Sequence, residues 1–166
     1  MVNNMDNSKL LEYIAPCSLC CYTCSAKQGG VIEETAKKLL HYFDGYYEFN
    51  RDTLPEEFQT YTEKTKRMTD RMAKYTTRMC PGCRSDEHGK CCIEGCKIYD
   101  CTRSHGVDFC ADCSEFPCDE VNEEVFSSIV LEAWKSGNER IREVGIGQYC
   151  EEAMATPHYL AFKDRE

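Results

Sequence analysis

The sequence has no long apolar segments. No stretch of 18 apolar residues occurs among its 166 positions, which excludes a membrane-spanning helix. Residues Met1 to Leu11 are polar and contain no apolar run, so no secretory signal peptide is predicted. No segment alternates apolar and polar residues in the way that a half-buried strand does. We therefore expect a mainly α, cytoplasmic protein without a membrane segment.

Motifs of catalysis are also missing. The chain has no Gly-rich phosphate loop, no nucleophile elbow and no carboxylate pair with a base beside it. Its four histidines never show the His-x3-5-His spacing of a zinc finger. The formal net charge of −9 argues against nucleic-acid binding, because such binding depends on neutralising phosphates with basic residues. We expect a binding protein rather than an enzyme.

Cysteine, in contrast, is abundant. Fourteen of the 166 residues are cysteine; nine lie between residues 80 and 118, and four lie between residues 17 and 24. Several form Cys-x2-Cys pairs, and two thiolates at this spacing can bind one metal ion from a single tight turn. Adjacent cysteines such as Cys20 and Cys21 disfavour a disulfide framework, because neighbouring thiols invite mispairing. The pattern therefore predicts thiolate-bound metal in a reducing compartment.

The spacing predicts two or three zinc ions. The 80–118 block contains eight candidate ligands, enough for two four-cysteine sites, and the three N-terminal ligands need a fourth from elsewhere. Which cysteines share an ion stays open, as does any role of Cys20, Cys91 and Cys150. The alternative is an iron–sulfur or thiol redox protein, in which the same cysteines carry electrons. The predicted metal ligands are Cys17, Cys21, Cys24, Cys80, Cys83, Cys92, Cys96, Cys101, Cys110, Cys113 and Cys118.

The chain is expected to form a single domain over residues 1–166. It should combine a helical body with an N-terminal cysteine cluster at 17–24 and an irregular metal-binding lobe at about 80–118. Tyr46, Tyr47 and Phe49 are predicted to form an aromatic connector between helices. Apolar periodicity, caps and breakers predict helices at 10–14, 31–43, 54–79, 119–144 and 147–155.

The 54–79 segment carries two overlapping patterns. Its apolar residues, among them Met68 and Met72, recur at alternating steps of four and three, which is typical of a helix packed lengthwise on another helix. We predict that this seam is core, with an adaptable peptide groove as the alternative. Residues 64–78 also carry a net charge of +5. They either compensate acidic parts of the chain or form a docking face for phosphate or an acidic partner. A protein partner would bind this helix; the oligomeric state stays open.

Several segments together resemble a known family. Cys80 to Cys83 reads Cys-Pro-Gly-Cys, and residues 105–118 read His-Gly-Val-Asp-Phe-Cys-Ala-Asp-Cys-Ser-Glu-Phe-Pro-Cys. With the N-terminal cysteines and the tail at 140–145, these segments are similar to the cysteine-rich prokaryotic family named domain of unknown function 3795, over about residues 13–150. The resemblance implies zinc bound through these cysteines and implies no established activity. Ser18 stands where that family usually has a glycine.

Overall fold

A computed structural model of the chain describes residues 6–85, 95–119, 121–124, 126–157, 159–160 and 163. Within these residues the protein consists of α-helices and short 3₁₀ turns, with isolated bridges and no strands. The predicted mainly α fold is thus confirmed. None of the helices in these ranges has the length and apolar character needed to cross a membrane. The helices are α1 (Asn7–Tyr13), α2 (Val31–Tyr42), α3 (Tyr46–Thr53), α4 (Gln59–Met72), α5 (Ile98–Ser104) and α6 (Ser128–Ala155).

The molecule divides into two regions with different packing. We call residues 31–75 the helical arm; in it, α3 packs on α4, and α2 packs on α4 and on the 3₁₀ turn Ala73–Tyr75. We call the remainder of the described chain the cysteine-rich body. There, α6 packs on both α1 and the 3₁₀ turn Cys110–Asp112.

Helix α6 is the spine of the cysteine-rich body. Its residue Ile141 belongs to one hydrophobic cluster and its residue Trp134 to another. These two positions are seven residues apart, about two helical turns, so they lie on the same face of the helix. Full burial of one such side chain contributes about 1.5–3 kcal/mol. The buried members of the first cluster are Leu10, Ile14, Cys20, Phe109, Ala111, Ile141 and Cys150, and those of the second are Ile98, Cys110, Phe116, Phe126 and Trp134.

The predicted core seam of the 54–79 segment is wrong. Tyr61 is 62% exposed, Met68 43% and Met79 82%, whereas the buried residues of α4 are Thr62 and Thr65. The two threonines are three residues apart on one helix face. Since α2 and α3 pack on α4, we infer that the threonines face these helices. Tyr61 and Met68 of the predicted seam therefore face solvent, whereas Met72 is half-buried and Thr65, which fills the gap in the seam, is buried.

Several helix boundaries also differ from the prediction. Residues 46–53 form a helix rather than a connector, and Gly45, with φ of +72°, separates it from α2. The predicted 54–79 helix is shorter than expected. Leu54, which precedes a proline, is extended, so α4 begins only at Gln59, and it ends at Met72.

The last helix starts later than predicted. Ser127 is extended, and α6 begins at Ser128 rather than near residue 119. Gly145 interrupts it with φ of +79°, where a helix end was expected. The lobe at 80–118 is less irregular than predicted, because it contains α5 and the 3₁₀ turn at 110–112.

Candidate metal centre

The N-terminal cysteine loop is held by backbone hydrogen bonds. The amide of Cys21 donates to the Tyr13 carbonyl at 2.7 Å, and an antiparallel bridge pairs Ile14 with Cys20. The turn inside this loop places the buried Ser18 at φ of +70°. This left-handed conformation is the one that glycine adopts without steric cost, which explains why glycine suits the position.

Cys21 and Cys24 form a tight Cys-x2-Cys turn. The amide of Cys24 donates to the Cys21 carbonyl at 2.9 Å, and the amide of Ala26 donates to the Cys24 sulfur at 3.5 Å. An N–H group that donates to a cysteine sulfur is a contact that orients metal-bound sulfur. The turn therefore presents its sulfur in an environment suited to a metal ligand.

A second Cys-x2-Cys turn lies beside the first. A parallel bridge pairs Lys27 with Cys80. The amide of Gln28 donates to the Cys80 carbonyl at 2.9 Å, and the amide of Cys80 donates to the Ala26 carbonyl at 3.1 Å. The turn that follows contains Gly82 at φ of +98°. These contacts bring together two cysteine pairs that are separated in sequence by the whole helical arm.

A third Cys-x2-Cys turn, Cys110 to Cys113, is anchored on α6. The amide of Ala111 donates to Asn138 Oδ1 at 2.9 Å, and Asn138, which is fully buried, donates in turn to the Trp134 carbonyl at 2.8 Å. Because both bonds are buried, they hold the turn in a fixed position on the helix.

Arg142 of α6 is a second anchor of this turn. Its guanidinium donates to the carbonyls of Ala111 at 2.6 Å and Cys113 at 2.7 Å, and it lies 4.8 Å from the ring centroid of Phe116. Sequence reasoning assigned no role to Asn138 or Arg142. The available signal for Arg142 was its place in the 140–145 tail that resembles the family.

Four cysteines line one cavity of about 230 Å³ beside this turn, together with His105 of the α5 C-cap. The Cys101 sulfur lies 3.8 Å from Nδ1 of His105. The cavity opens between α5 and the 110–118 segment, and Phe116 and Phe126 form part of its wall. The cysteines on its wall are Cys101, Cys110, Cys113 and Cys118.

Partly buried thiols in the body lie close enough to affect one another electrostatically. Burial raises the pKa of Cys17 to about 12, and the neighbouring Cys110 adds to the increase. The pKa of Cys21 is also raised, first by burial and then by the charges of Cys17 and other thiols, including Cys80. Ionising these groups together without a cation is therefore unfavourable. Cys17 lies between the N-terminal turn and the Cys110 turn.

The Trp134 indole lies near the Cys110 sulfur. Its indole Nε1 is buried and makes no hydrogen bond of standard geometry within the described part of the chain. Burial raises the pKa of Cys110 to about 11, and hydrogen bonding from Trp134 opposes that increase. Cys110 is therefore the acceptor that this indole approaches, and a thiolate there would satisfy it better than a thiol.

Backbone contacts bring several of the predicted ligands near one another, but their side chains do not surround a common point. Across residues 6–85, 95–119 and the shorter described ranges, no three Cys, His, Asp or Glu side chains are arranged to hold a metal ion. Cys91 and the predicted ligand Cys92 lie outside the described residues. Cys20 and Cys150 are buried in the first hydrophobic cluster. The described cysteines that are free thiols include Cys17, Cys20, Cys21, Cys24, Cys80, Cys110, Cys113, Cys118 and Cys150.

Comparison with known families identifies the chain. The model of the family described as Protein of unknown function (DUF3795) matches residues 13–123. The chain belongs to this family. The DUF3795 match is shorter than the resemblance noted above, since it omits the tail at 140–145 and all of α6. It contains every predicted ligand, from Cys17 to Cys118. No curated protein and no solved structure matches the chain.

Proposed function

We propose that this DUF3795 protein binds zinc through its cysteines, that the ions hold its cysteine-rich body together, and that the helical arm docks a protein partner. The main support is the set of free thiols that backbone contacts bring close together from distant parts of the chain. The adjacent cysteines of the sequence disfavour a disulfide framework, so we place the protein in a reducing compartment, the cytoplasm.

The donors fit zinc chemically. Thiolates in Cys-x2-Cys turns are the usual ligands of structural zinc, and N–H donors such as those of Ala26 and Trp134 orient metal-bound sulfur. In our proposal the thiols close on the ion as it binds, which couples metal binding to folding. Four thiolates leave no open coordination position for water or substrate. The sites are therefore structural, and the protein is a binding module rather than an enzyme.

Metal analysis of anaerobically purified protein tests this proposal. Two or three zinc ions per chain are expected, and the protein should be colourless. A full set of disulfides without metal would overturn both the zinc proposal and the iron–sulfur alternative below. Replacement of Cys113 by Ser should lower the zinc content, whereas Cys150→Ser, which changes a thiol of the hydrophobic cluster, should leave it unchanged.

An iron–sulfur cluster is the second candidate, and one observation favours it. The cavity lined by four cysteines has a volume of about 230 Å³, whereas one water molecule needs about 10–15 Å³ on the same measure. A cavity of this size is larger than a single tetrahedral ion needs, and a cluster with four cysteine ligands would use more of it. Iron with acid-labile sulfide and broad visible absorbance would establish this alternative in place of zinc.

The docking role of the arm rests on the exposed face of α4. Lys64, Arg67, Met68, Arg71 and Met72 line a shallow groove of about 330 Å³. Arg67 and Arg71 are exposed and form no ion pair with any described residue. Their charges are therefore available, which favours the docking interpretation of the basic stripe over charge compensation. The combination of flexible methionines and free guanidinium groups suits an acidic protein segment with apolar side chains.

A defined peptide pair tests the docking face. An amphipathic helical peptide of Leu and Glu should bind the full-length protein, measured by fluorescence anisotropy, and the same peptide with Lys in place of Glu should not. Arg71→Glu and Met68→Gln should each weaken binding at least tenfold, while Lys38→Glu on the exposed face of α2 serves as the control. Equal binding of both peptides, or no effect of the α4 variants, would overturn the docking role. Concentration-dependent self-association without peptide would point to a second copy as the partner.

A further inference from the structure

Lys27 is buried in a way that needs explanation. Its residue is only 5% exposed, and its Nζ donates to the Pro81 carbonyl at 3.1 Å. The carboxylate of Glu12 lies 3.7 Å away, but the Glu12 side chain is half exposed to solvent. A buried ammonium group is costly unless negative charge compensates it, and a solvent-screened carboxylate compensates weakly. Further negative charge near Lys27 is therefore expected.

The thiols of two Cys-x2-Cys turns are the candidates for that charge. Lys27 is the bridge partner of Cys80, and it follows Cys24 by three residues. Its Cε lies 3.7 Å from the position that a Cβ on Gly82 would occupy, so the side chain extends along the second turn. The lysine thus lies between the turn that ends at Cys24 and the turn that begins at Cys80.

Arg84 supplies a second positive charge near the two Cys-x2-Cys turns. It directly follows Cys83, and its guanidinium donates to the carbonyls of Leu11 at 2.8 Å and Ile14 at 2.5 Å. The same group lies 4.8 Å from the ring centroid of Phe109 and interacts with the charges of Cys21 and Cys83. Arg84 is therefore held by carbonyls and an aromatic ring, and the negative charges near it are those of Asp108 and of thiols from both turns.

We infer that Cys21, Cys24, Cys80 and Cys83 close on one metal ion as it binds and that Lys27 and Arg84 offset part of its charge. A divalent ion with four thiolates carries a net charge of −2, which two neighbouring cations reduce. The inference rests on the proposed zinc binding and adds which cysteines share an ion. Because the two turns border the arm in sequence, this ion would tie the beginning of the arm to its end.

Native mass spectrometry of Cys→Ser variants tests the grouping. Cys21→Ser and Cys80→Ser should each lose one zinc, and the double variant should lose that same single ion. Cys21→Ser combined with Cys110→Ser should lose two ions. Loss of two ions from the Cys21/Cys80 double variant would overturn the grouping while leaving zinc binding intact. Absence of zinc from the unmodified protein would instead overturn the proposed function itself.

A second measurement avoids variants that fail to fold. The unmodified zinc protein is treated with increasing chelator, and the thiols that become reactive are alkylated and located by mass spectrometry. The four cysteines of the inferred site should become reactive together, in a step distinct from that of Cys110 and Cys113. Reaction of Cys21 and Cys24 in one step and of Cys80 and Cys83 in another would contradict the shared ion.

Substitutions of the buried lysine test the charge balance. Lys27→Met keeps much of the side-chain volume but removes the charge, so release of one zinc to chelator should become at least tenfold faster. Lys27→Arg should restore slow release, which a purely steric role would not predict. Lys38→Met on the exposed face of α2 is the matched control. Unchanged release from Lys27→Met would show that the lysine does not balance the site.

Discussion

The helical arm and the cysteine-rich body are stabilised in different ways. In the arm, buried polar side chains bond locally: Thr62 donates to the Phe58 carbonyl and Asn50 to the Tyr46 carbonyl, each four residues back. In the body, Asn138 and Arg142 bond to a turn about 30 residues away in sequence. The arm therefore depends mainly on local contacts, and the body on long-range contacts.

The apolar residues show the same contrast. Both hydrophobic clusters of the described residues lie in the body. The arm buries Ala36 but exposes aromatic and methionine side chains, including Tyr42, Phe49 and Met68. Of these three, Met68 lines the basic groove of α4 at which we propose that a partner docks. In our proposals the body supplies stability and the arm supplies recognition, and four experiments can break or sharpen this contrast.

Zinc removal should have the largest effect, and it should act on the body. Structural zinc contributes about 10–16 kcal/mol of apparent free energy in small metal-folded units, comparable to the whole stability of a domain. Trp134 is the single tryptophan and packs edge-on against Phe116 at 5.0 Å, so its fluorescence reports the body alone. Chelation should change that fluorescence strongly while much far-UV helix signal persists. Unchanged fluorescence after complete zinc removal would contradict a structural role for the metal.

Substituting one buried asparagine in each region compares their contributions to the free energy of unfolding directly. Asn138→Ala leaves the Ala111 amide without its buried acceptor and should lower the free energy of unfolding by about 2 kcal/mol. Asn50→Ala removes only a bond within α3 and should cost about 1 kcal/mol or less. Denaturant unfolding of the zinc-bound protein measures both. Equal costs would mean that the long-range bond is no more important than the local one.

The contact between α6 and the N-terminal loop should respond to a single methyl group. A Cβ on Gly137 would lie 2.3 Å from Ser18 Oγ and 2.9 Å from the Tyr149 hydroxyl, so Gly137→Ala should cost about 1–3 kcal/mol by overpacking. Gly147→Ala on the same helix meets no atom within 4 Å and should instead stabilise by up to about 1 kcal/mol through helix propensity.

A double-mutant cycle with the loop completes this test. Ser18→Gly relieves a left-handed conformation and should stabilise by about 1 kcal/mol. Combined with Gly137→Ala, it should recover part of the lost stability, because the serine hydroxyl is the closest obstacle. Strictly additive thermal unfolding data would show that the two residues are not in contact.

The smallest effect is expected on the exposed face of the arm. Met68→Gln should change the free energy of unfolding by no more than about 0.5 kcal/mol, as is usual for surface substitutions. The same change at a core position would cost several times more. A loss above about 2 kcal/mol would mean that the face around Met68 is buried in solution. Association of two copies of the chain through this face would account for such burial.

Sequence reasoning identified the elements that depend on local signals. Val31 to Tyr42 was predicted to within a residue because apolar periodicity, early glutamates and flanking glycines all agree there. The stop at Gly145 was predicted for the same reason. The core seam of the 54–79 segment failed because a periodic pattern shows which residues share a helix face. It does not show whether another element covers that face.

The candidate site was predictable as a set of residues but not as a grouping. Cysteine spacing indicates which residues can bind metal from one turn. The pairing of Cys80 with the Lys27 segment depends on a bridge across more than 50 residues of sequence, and no local pattern encodes it. Asn138 and Arg142 are ordinary polar residues of a helix until the Cys110 turn packs against them.

The sequence by itself therefore determined the mainly α class, the family and the positions of the Cys-x2-Cys pairs. These follow from short-range periodicity and spacing, which are fixed by helix and turn geometry. Only the tertiary structure decided which cysteine turns lie together, which helix supports them and which face of α4 is exposed. Those outcomes depend on contacts between distant segments, whose energies arise only when the chain has folded.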